Sequence, residues 1–296
     1  MGRDLFERNV VFREWMLRLD AIARELCGRS VIEAVYHGGG RSDHFDRTLL
    51  THPAIFMVEY SLAQSLMNAG VVPDLTLGAS LGTFAAAAVA GFMDVEDVMA
   101  ATIKQAIAFE ACCQPGTMLA VLAVPQLFNE RFLREHSELA AVSSASHFTV
   151  AAEYESCLRI EAVLRDRDIV HQRLPVSFAF HSRWIDAAYV PFQAFVHSMP
   201  VKPGRIPLVC CAQATVLNEL ASDFLWQGVR RPIRFREAIA RLELKGPHRY
   251  VDAGPSGTLA TSLKHVLPAS SASTVHPVLT PYGHDERNLT ALARAA

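Results

Sequence analysis

Leu75-Thr76-Leu77-Gly78-Ala79-Ser80-Leu81-Gly82-Thr83-Phe84-Ala85-Ala86-Ala87-Ala88-Val89-Ala90-Gly91 is the stretch on which the reading of this chain turns. Leu75-Thr76-Leu77 is a short β-prone run that ends at Gly78. Leu81 to Ala90 is nearly all alanine and apolar residues, a helix buried on most faces and closed by Gly91. Between them stands G-x-S-x-G, with Ser80 at its centre. A serine on a tight strand-to-helix turn is forced outward, and flanking glycines let neighbouring elements approach it. The helix behind it aims free N–H groups and the positive end of its dipole at any developing oxyanion. The same residues also fit a plain Gly-rich turn packing a buried helix.

Working outward, residues 1–30 interleave charge with Phe12, Trp15, Met16, Leu19 and Ile22 at three- and four-residue spacing, which predicts an amphipathic helix. Pro53 opens a second helix where its missing N–H costs nothing, and Gly70 stops it. Asp94 starts a third, Val95 to about Cys112, before Pro115-Gly116. The rhythm then changes: strand 118–124, helix 125–136, strands 139–145 and 147–152, helix 153–166, strand 168–174. This β-α-β-β-α-β order is the ferredoxin-like signature. Strands follow near Leu208–Ala212 and Arg249–Val251, and the end from about Gly283 reads as frayed. The predicted fold class is α/β: a hydrolase-like core with a parallel sheet, residues 1–116 and 176–296, carrying a ferredoxin-like small domain over 117–175.

The chain has 296 residues, 51% hydrophobic and 20% charged, which is ample for a buried core and excludes the disordered and low-complexity classes. Its 28 basic residues stand against 30 acidic ones, so a general electrostatic grip on nucleic acid is not expected. No run of 18 apolar residues or secretory leader is visible, so no membrane partner and a cytoplasmic location are expected. Six cysteines form no CxxC and no disulfide framework, and read as buried thiols in a reducing compartment. No metal site is predicted.

A nucleophilic serine needs a base. Of twelve histidines, His181 in Phe178-Ala179-Phe180-His181-Ser182 stands at the edge of the inserted domain, where a loop can return over the serine. A competing plan takes His37-Gly38-Gly39-Gly40 as an esterase oxyanion loop, with Asp252 and His265 or His276 completing a triad. Only 43 positions separate His37 from Ser80, which leaves little room for the elements that plan requires.

At this point the sequence resembles the acyltransferases of fatty acid and polyketide synthases, the malonyl-CoA:acyl carrier protein transacylases and their relatives. Gly78 to Gly91 is similar to the family's G-H-S-L-G-E-x-x-A-x-x-x-A-G, and Thr51-His52-Pro53-Ala54 to its T-Q-P-A. Pro115-Gly116-Thr117-Met118-Leu119-Ala120-Val121-Leu122 is similar to P-G-x-M-A-A-V-L, and Ala179-Phe180-His181-Ser182 to A-F-H-S. Arg231-Pro232-Ile233-Arg234-Phe235 and Asp252-Ala253-Gly254-Pro255 match later landmarks, so the resemblance spans nearly the whole chain. It implies that Ser80 is the acyl-forming nucleophile, His181 its base, and the Leu81 N–H an oxyanion donor. It also implies that a backbone carbonyl at Arg234 orients the histidine, and that Ala79, Phe180 and Gln105 line the acyl site.

Three departures shape the expected function. The family carries a carboxylate-binding arginine 25 residues after the serine; here that position is Gln105, and no arginine lies between Arg47 and Arg131. Removing one member of a buried charge pair costs roughly 3–5 kcal/mol, two to four orders of magnitude against a dicarboxylate. Ala79 replaces the family's histidine beside the serine. The family also opens with a strand and a G-Q-G-S loop ahead of the segment matching Met1 to Phe6, so a start further upstream is expected.

Loss of the arginine resembles the discrete acyl hydrolases of trans-acyltransferase polyketide synthase clusters, which clear acyl groups from carrier proteins. The expected activity is therefore proofreading hydrolysis of acyl thioesters by a monomer. The phosphopantetheine arm of an acyl carrier protein, or CoA, carries the substrate, and the protein itself binds no cofactor. An acyltransferase passing malonyl or another acyl group between thiols is the alternative, and a non-catalytic carrier-binding module a third. Arg230, Arg231, Arg234, Arg236 and Arg241 are the densest basic cluster, suited either to an acidic carrier or to an ordinary solvated face.

Overall fold

The first thirty residues form two helices rather than one, α1 (Arg3–Arg8) and α2 (Val10–Cys27), in a computed structural model that describes residues 1–37 and 47–295. The break falls at Asn9, whose side chain accepts from the Phe12 N–H and caps α2. Phe12, Met16 and Leu19 on the inner face of α2 are wholly buried.

Helix α3 (Thr48–Asn68) begins one turn before Pro53. The Glu110 carboxylate, from the neighbouring helix, accepts from the Leu49 N–H and supplies the cap that sequence placed at the proline. At the other end Gly70, at φ +89°, donates to the Met67 carbonyl while Val71 donates to that of Leu66. These paired bonds terminate the helix as expected.

Strand β1 (Thr76–Gly78) leads into α4 (Gly82–Val89), and α5 (Val95–Cys112) packs beside α3. Next come β2 (Gly116–Val121), a 3-10 turn at Pro125–Asn129, and the single turn α6 (Arg131–Arg134). Expected helix 125–136 is thus two short pieces. Strands β3 (Glu138–Ser144) and β4 (His147–Glu153), helix α7 (Tyr154–Asp166) and strand β5 (His171–Arg173) follow. The sheet order is β3-β4-β2-β5, every neighbouring pair antiparallel. One face of it, with Leu119, Val121, Phe148 and Val150, closes on Cys157, Ile160 and Leu164 of α7. Met118, Ala140 and Ala151 from the same strands join the main core instead.

The remaining elements are α8 (Tyr189–Val196), β6 (Leu208–Cys210), β7 (Thr215–Leu217), α9 (Phe224–Arg230) and α10 (Phe235–Glu243). They are followed by β8 (Arg249–Asp252), α11 (Thr258–Val266), β9 (Thr274–Pro277) and α12 (Asp285–Arg294). β6 pairs with β1 in parallel and with β7 antiparallel, while β8 and β9 form a separate parallel pair. The chain is thus a mixed α/β fold. The expected fraying after Gly283 is not seen, because Leu289 and Leu292 of α12 are buried against the core.

Cys157, Cys210 and Cys211 are buried and free as expected, whereas Cys112 is exposed. Among the described residues no helix is long and apolar enough to cross a membrane, and no group of three or more His, Cys, Asp or Glu side chains is placed to hold a metal ion.

Candidate active site

The β1–α4 turn is held by main-chain bonds, Gly82 N–H to the Ala79 carbonyl and Thr83 N–H to that of Ser80. Ser80 itself sits at φ +55°, a left-handed conformation that costs a non-glycine residue about 1–3 kcal/mol. The turn is tight enough that a Cβ on Gly78 would lie 2.2 Å from the Gly82 carbonyl oxygen. A Gly78→Ala protein is therefore expected to lose about 3 kcal/mol or more, read as a Tm lowered by about 5–10 °C. An unchanged Tm would show that the turn relaxes freely.

His181 arrives from the loop after β5, 1% exposed and at φ +61°, the second strained residue of the site. Its Nε2 lies 2.8 Å from Ser80 Oγ, across a sequence separation of 101 residues. The end of α9 fixes it twice. Its N–H donates to the Val229 carbonyl, and ring Nδ1 lies 2.7 Å from the Arg231 carbonyl. An Nδ1–H donating there leaves the Nε2 lone pair for the serine hydroxyl. Burial lowers the His181 pKa to about 4; the Arg231 carbonyl counters this and nearby Arg230 adds to it.

The orienting carbonyl is thus that of Arg231, three residues before the expected Arg234. Pro232 has no N–H, and Ile233 donates elsewhere, to Ala140, so the Arg231 carbonyl at the end of α9 remains free for the imidazole. The Arg234 carbonyl is already taken by the Ala238 N–H at the start of α10.

Leu81 N–H has no acceptor among the described residues and opens α4, where an oxyanion donor is expected. Ala79 is half-buried against the cluster built on Val209 and Phe235, and Phe180 is buried. The Phe180 ring contacts Phe109 of α5 and His52 of α3, with centroids 5.2 and 5.3 Å away. Gln105, one turn before Phe109, is wholly buried, with its amide beside the His52 imidazole. Neighbouring Lys104 turns away to the Phe195 ring.

Two buried polar groups on α3 were not picked out from sequence. Burial lowers the His52 pKa to about 4, only partly offset by hydrogen bonding to the Gln105 side chain and by the nearby Glu110 charge. Glu59, two helical turns on, has Oε2 sealed from solvent without a partner, and its pKa is raised to about 8, first by burial and then by Asp252. A Cβ on Gly82 would sit 3.7 Å from either Glu59 oxygen, so this carboxyl lies against the serine turn. The available signal was polarity: between Thr48 and Asn68, Glu59 is the one formally charged residue.

The esterase plan is not assembled. Asp252 accepts from the Gly254 and Ala260 N–H groups rather than from a histidine, and Gly38–Gly40 lie outside the described residues. The basic cluster is largely engaged within the chain. Arg230 pairs with Asp186 and Glu138, Arg234 with Glu237, Arg231 bonds Gln227, and Arg241 donates to the Ala214 carbonyl.

The acyl transferase domain family matches residues 1–295. The chain belongs to that family. It is 43% identical over 291 residues to the polyketide biosynthesis acyltransferase homolog BaeD of Bacillus velezensis, covering 98% of this chain and 90% of the relative. PksD of Bacillus subtilis, of the same description, matches with the same identity and coverage. Among solved structures, a loading acyltransferase from the avermectin modular polyketide synthase superposes with a TM-score of 0.89 at 25% identity, over 100% of this chain and 95% of that one. MCAT from Streptococcus pneumoniae shares the fold, with a TM-score of 0.82 at 23% identity and the same coverage.

Proposed function

We propose that this acyltransferase-family chain is a stand-alone acyl hydrolase that clears acyl groups from the phosphopantetheine thiol of an acyl carrier protein, a proofreading step in polyketide assembly. The observation that carries the reading is Gln105, a wholly buried neutral amide with no charge partner. A carboxylate brought to it would be buried without a compensating cation, whereas an uncharged acyl chain incurs no such cost. The names borne by BaeD and PksD support the pathway class.

In this reading Ser80 Oγ attacks the thioester carbonyl as His181 Nε2 takes its proton, and the Leu81 N–H receives the oxyanion. Collapse breaks the C–S bond, and the leaving thiolate takes the proton back from His181. Water, deprotonated by the same imidazole, then opens the acyl-serine ester to free acid and restores the Ser80 hydroxyl. The division into a hydrolase-like body (1–116 and 176–296) and a ferredoxin-like insert (117–175) belongs to the same reading. The β3-β4-β2-β5 order and the separate core under α7 support it.

Because the base acts in its neutral form, a pKa near 4 in place of 6.5 extends the active range downward. Acylation of Ser80, followed by intact mass, is expected to hold its rate from pH 8 to about 5 and to fall as pH drops through about 4. A fall centred near 6.5 would remove the desolvated His181 from this role.

The function itself is tested by weighing acetyl- and butyryl-loaded carrier proteins by mass spectrometry after incubation with the protein. Loss of the acyl mass with release of free acid is expected. Movement of the acyl group to a second, empty carrier would make it a transferase, and unchanged carriers would leave a binding module.

A further inference from the structure

His181 sits at φ +61°, a backbone conformation that persists only where its surroundings impose it. Strand β3 supplies part of that hold, although it lies in a different sheet from β1 and gives no atom to the Ser80–His181 pair. Its first residue, Glu138, accepts at Oε2 from the Arg183 N–H, 3.1 Å away, and at Oε1 from Arg183 Nη1, 2.8 Å away. Arg183 follows His181 by two residues. Glu138 Oε2 also lies 3.7 Å from Arg230 Nη1, at the end of α9. Arg230 in turn pairs with Asp186 of the 3-10 turn Arg183–Ala188, which closes the network.

Two residues along β3, the Ala140 carbonyl accepts from the Ile233 N–H at 2.7 Å. The Arg231 carbonyl that orients the imidazole is therefore flanked by two anchors on one strand. Glu138 holds Arg230 before it, and Ala140 holds Ile233 after it. Glu138 grips both segments that meet at the imidazole, the loop carrying His181 and the helix end that orients its ring. Such pairs do little for the stability of the fold, because the Arg183 side chain is 57% exposed and water screens its charge. Placement is more sensitive, since a shift of about 1 Å in a catalytic group can cost about a hundredfold in rate.

We propose that Glu138 is a positioning residue for the base, fixing His181 and the Arg231 carbonyl against each other through Arg183 and Arg230. The proposal deepens the Ser80–His181 reading and rests on it for the effect on rate, but not for the effect on the imidazole.

Two measurements on Glu138→Ala separate the two. The first is the nitrogen spectrum of protein carrying ¹⁵N-labelled histidine, with the His181 signals assigned by their absence in His181→Ala. A ring held as the Nδ1–H tautomer gives two well-separated nitrogen shifts, and a freed ring gives shifts that converge. The parent is expected to show the separated pair and Glu138→Ala the converging one, with Tm lowered by no more than about 4 °C. The second is single-turnover acylation of Ser80 by butyryl-pantetheine, followed by intact mass. Its rate is expected to fall about 30- to 100-fold in Glu138→Ala. By calorimetry, Ser80→Ala and Ser80→Ala/Glu138→Ala should bind the same thioester with equal affinity.

A parent ring already mixed between tautomers, or shifts that Glu138→Ala leaves separated, overturns the proposal whether or not the protein acylates. Where the parent acylates, an unchanged rate in Glu138→Ala overturns it too, as does an affinity that falls in step with the rate. Arg183→Met cuts the guanidinium half of the grip at an exposed side chain and should show both changes in weaker form. If Glu138→Ala does not fold, unchanged shifts and rate in Arg183→Met overturn the proposal. A parent that never acylates sinks the Ser80–His181 reading, and the nitrogen shifts still decide the role of Glu138.

Discussion

Ser80→Ala protein is expected to leave acetyl- and butyryl-carriers intact over times in which the unsubstituted chain empties them, with a rate lower by about 10⁴–10⁶. The magnitude follows from how completely the site is built around one oxygen. The backbone accepts a left-handed residue at position 80, and the Ser80 hydroxyl rests 2.8 Å from a nitrogen held in its tautomer by a main-chain carbonyl. Nothing in the fold gains from that arrangement, since an alanine there would lose only a hydrogen bond. The variant should therefore fold normally and fail chemically. His181→Ala is expected to cost nearly as much, and the double variant no more than either alone, because nucleophile and base act as a unit. Carrier emptying that persists in Ser80→Ala at more than a hundredth of the normal rate would sink the serine mechanism.

Gln105→Arg carries the second large effect. Arginine there would place a guanidinium in a wholly buried position where no carboxylate now answers the glutamine. Without ligand that charge is uncompensated, so the variant should melt lower than its parent. With malonyl-CoA, the substrate's carboxylate supplies the missing partner, and the mass of a malonyl adduct on Ser80 is expected to appear at least about a hundredfold faster than in the parent. The same substitution should slow release of acetyl and butyryl groups, whose methyl ends would then face a desolvated cation. Efficient malonyl loading by the unsubstituted protein would remove Gln105 as the determinant of charge selectivity. A folded Gln105→Arg protein that gains no malonyl adduct would do the same.

How far the sequence reaches is clear from these residues. Gly78, Ser80 and the alanine run before Gly91 were legible because a tight turn between strand and helix leaves a local signature in residue type. The β-α-β-β-α-β order over 118–174 was legible for the same reason, since the strands and helices are marked by their own residue types. Local signals also misled in places. Pro53 looked like a helix start, but Glu110, brought alongside by α5, caps the chain one turn earlier. The carbonyl for His181 was placed at Arg234, yet it comes from Arg231, because pairing of Ile233 with Ala140 and the start of α10 at Phe235 decide which oxygen remains free.

By itself the sequence determined the chemistry available: a serine on an elbow, a histidine in an apolar loop, and a glutamine at the position where the family resemblance implies an arginine. Each is fixed by the identity of one residue and a few chain neighbours. Only the tertiary structure decided how those groups meet. The Ser80–His181 bond spans 101 residues of chain, the left-handed backbone at both is imposed by packing, and the pairing of His52 with Gln105 exists because α3 and α5 lie side by side. Burial and orphaned hydrogen-bond capacity belong to the packed assembly, since they depend on what distant segments place around an atom, and no local pattern carries that information.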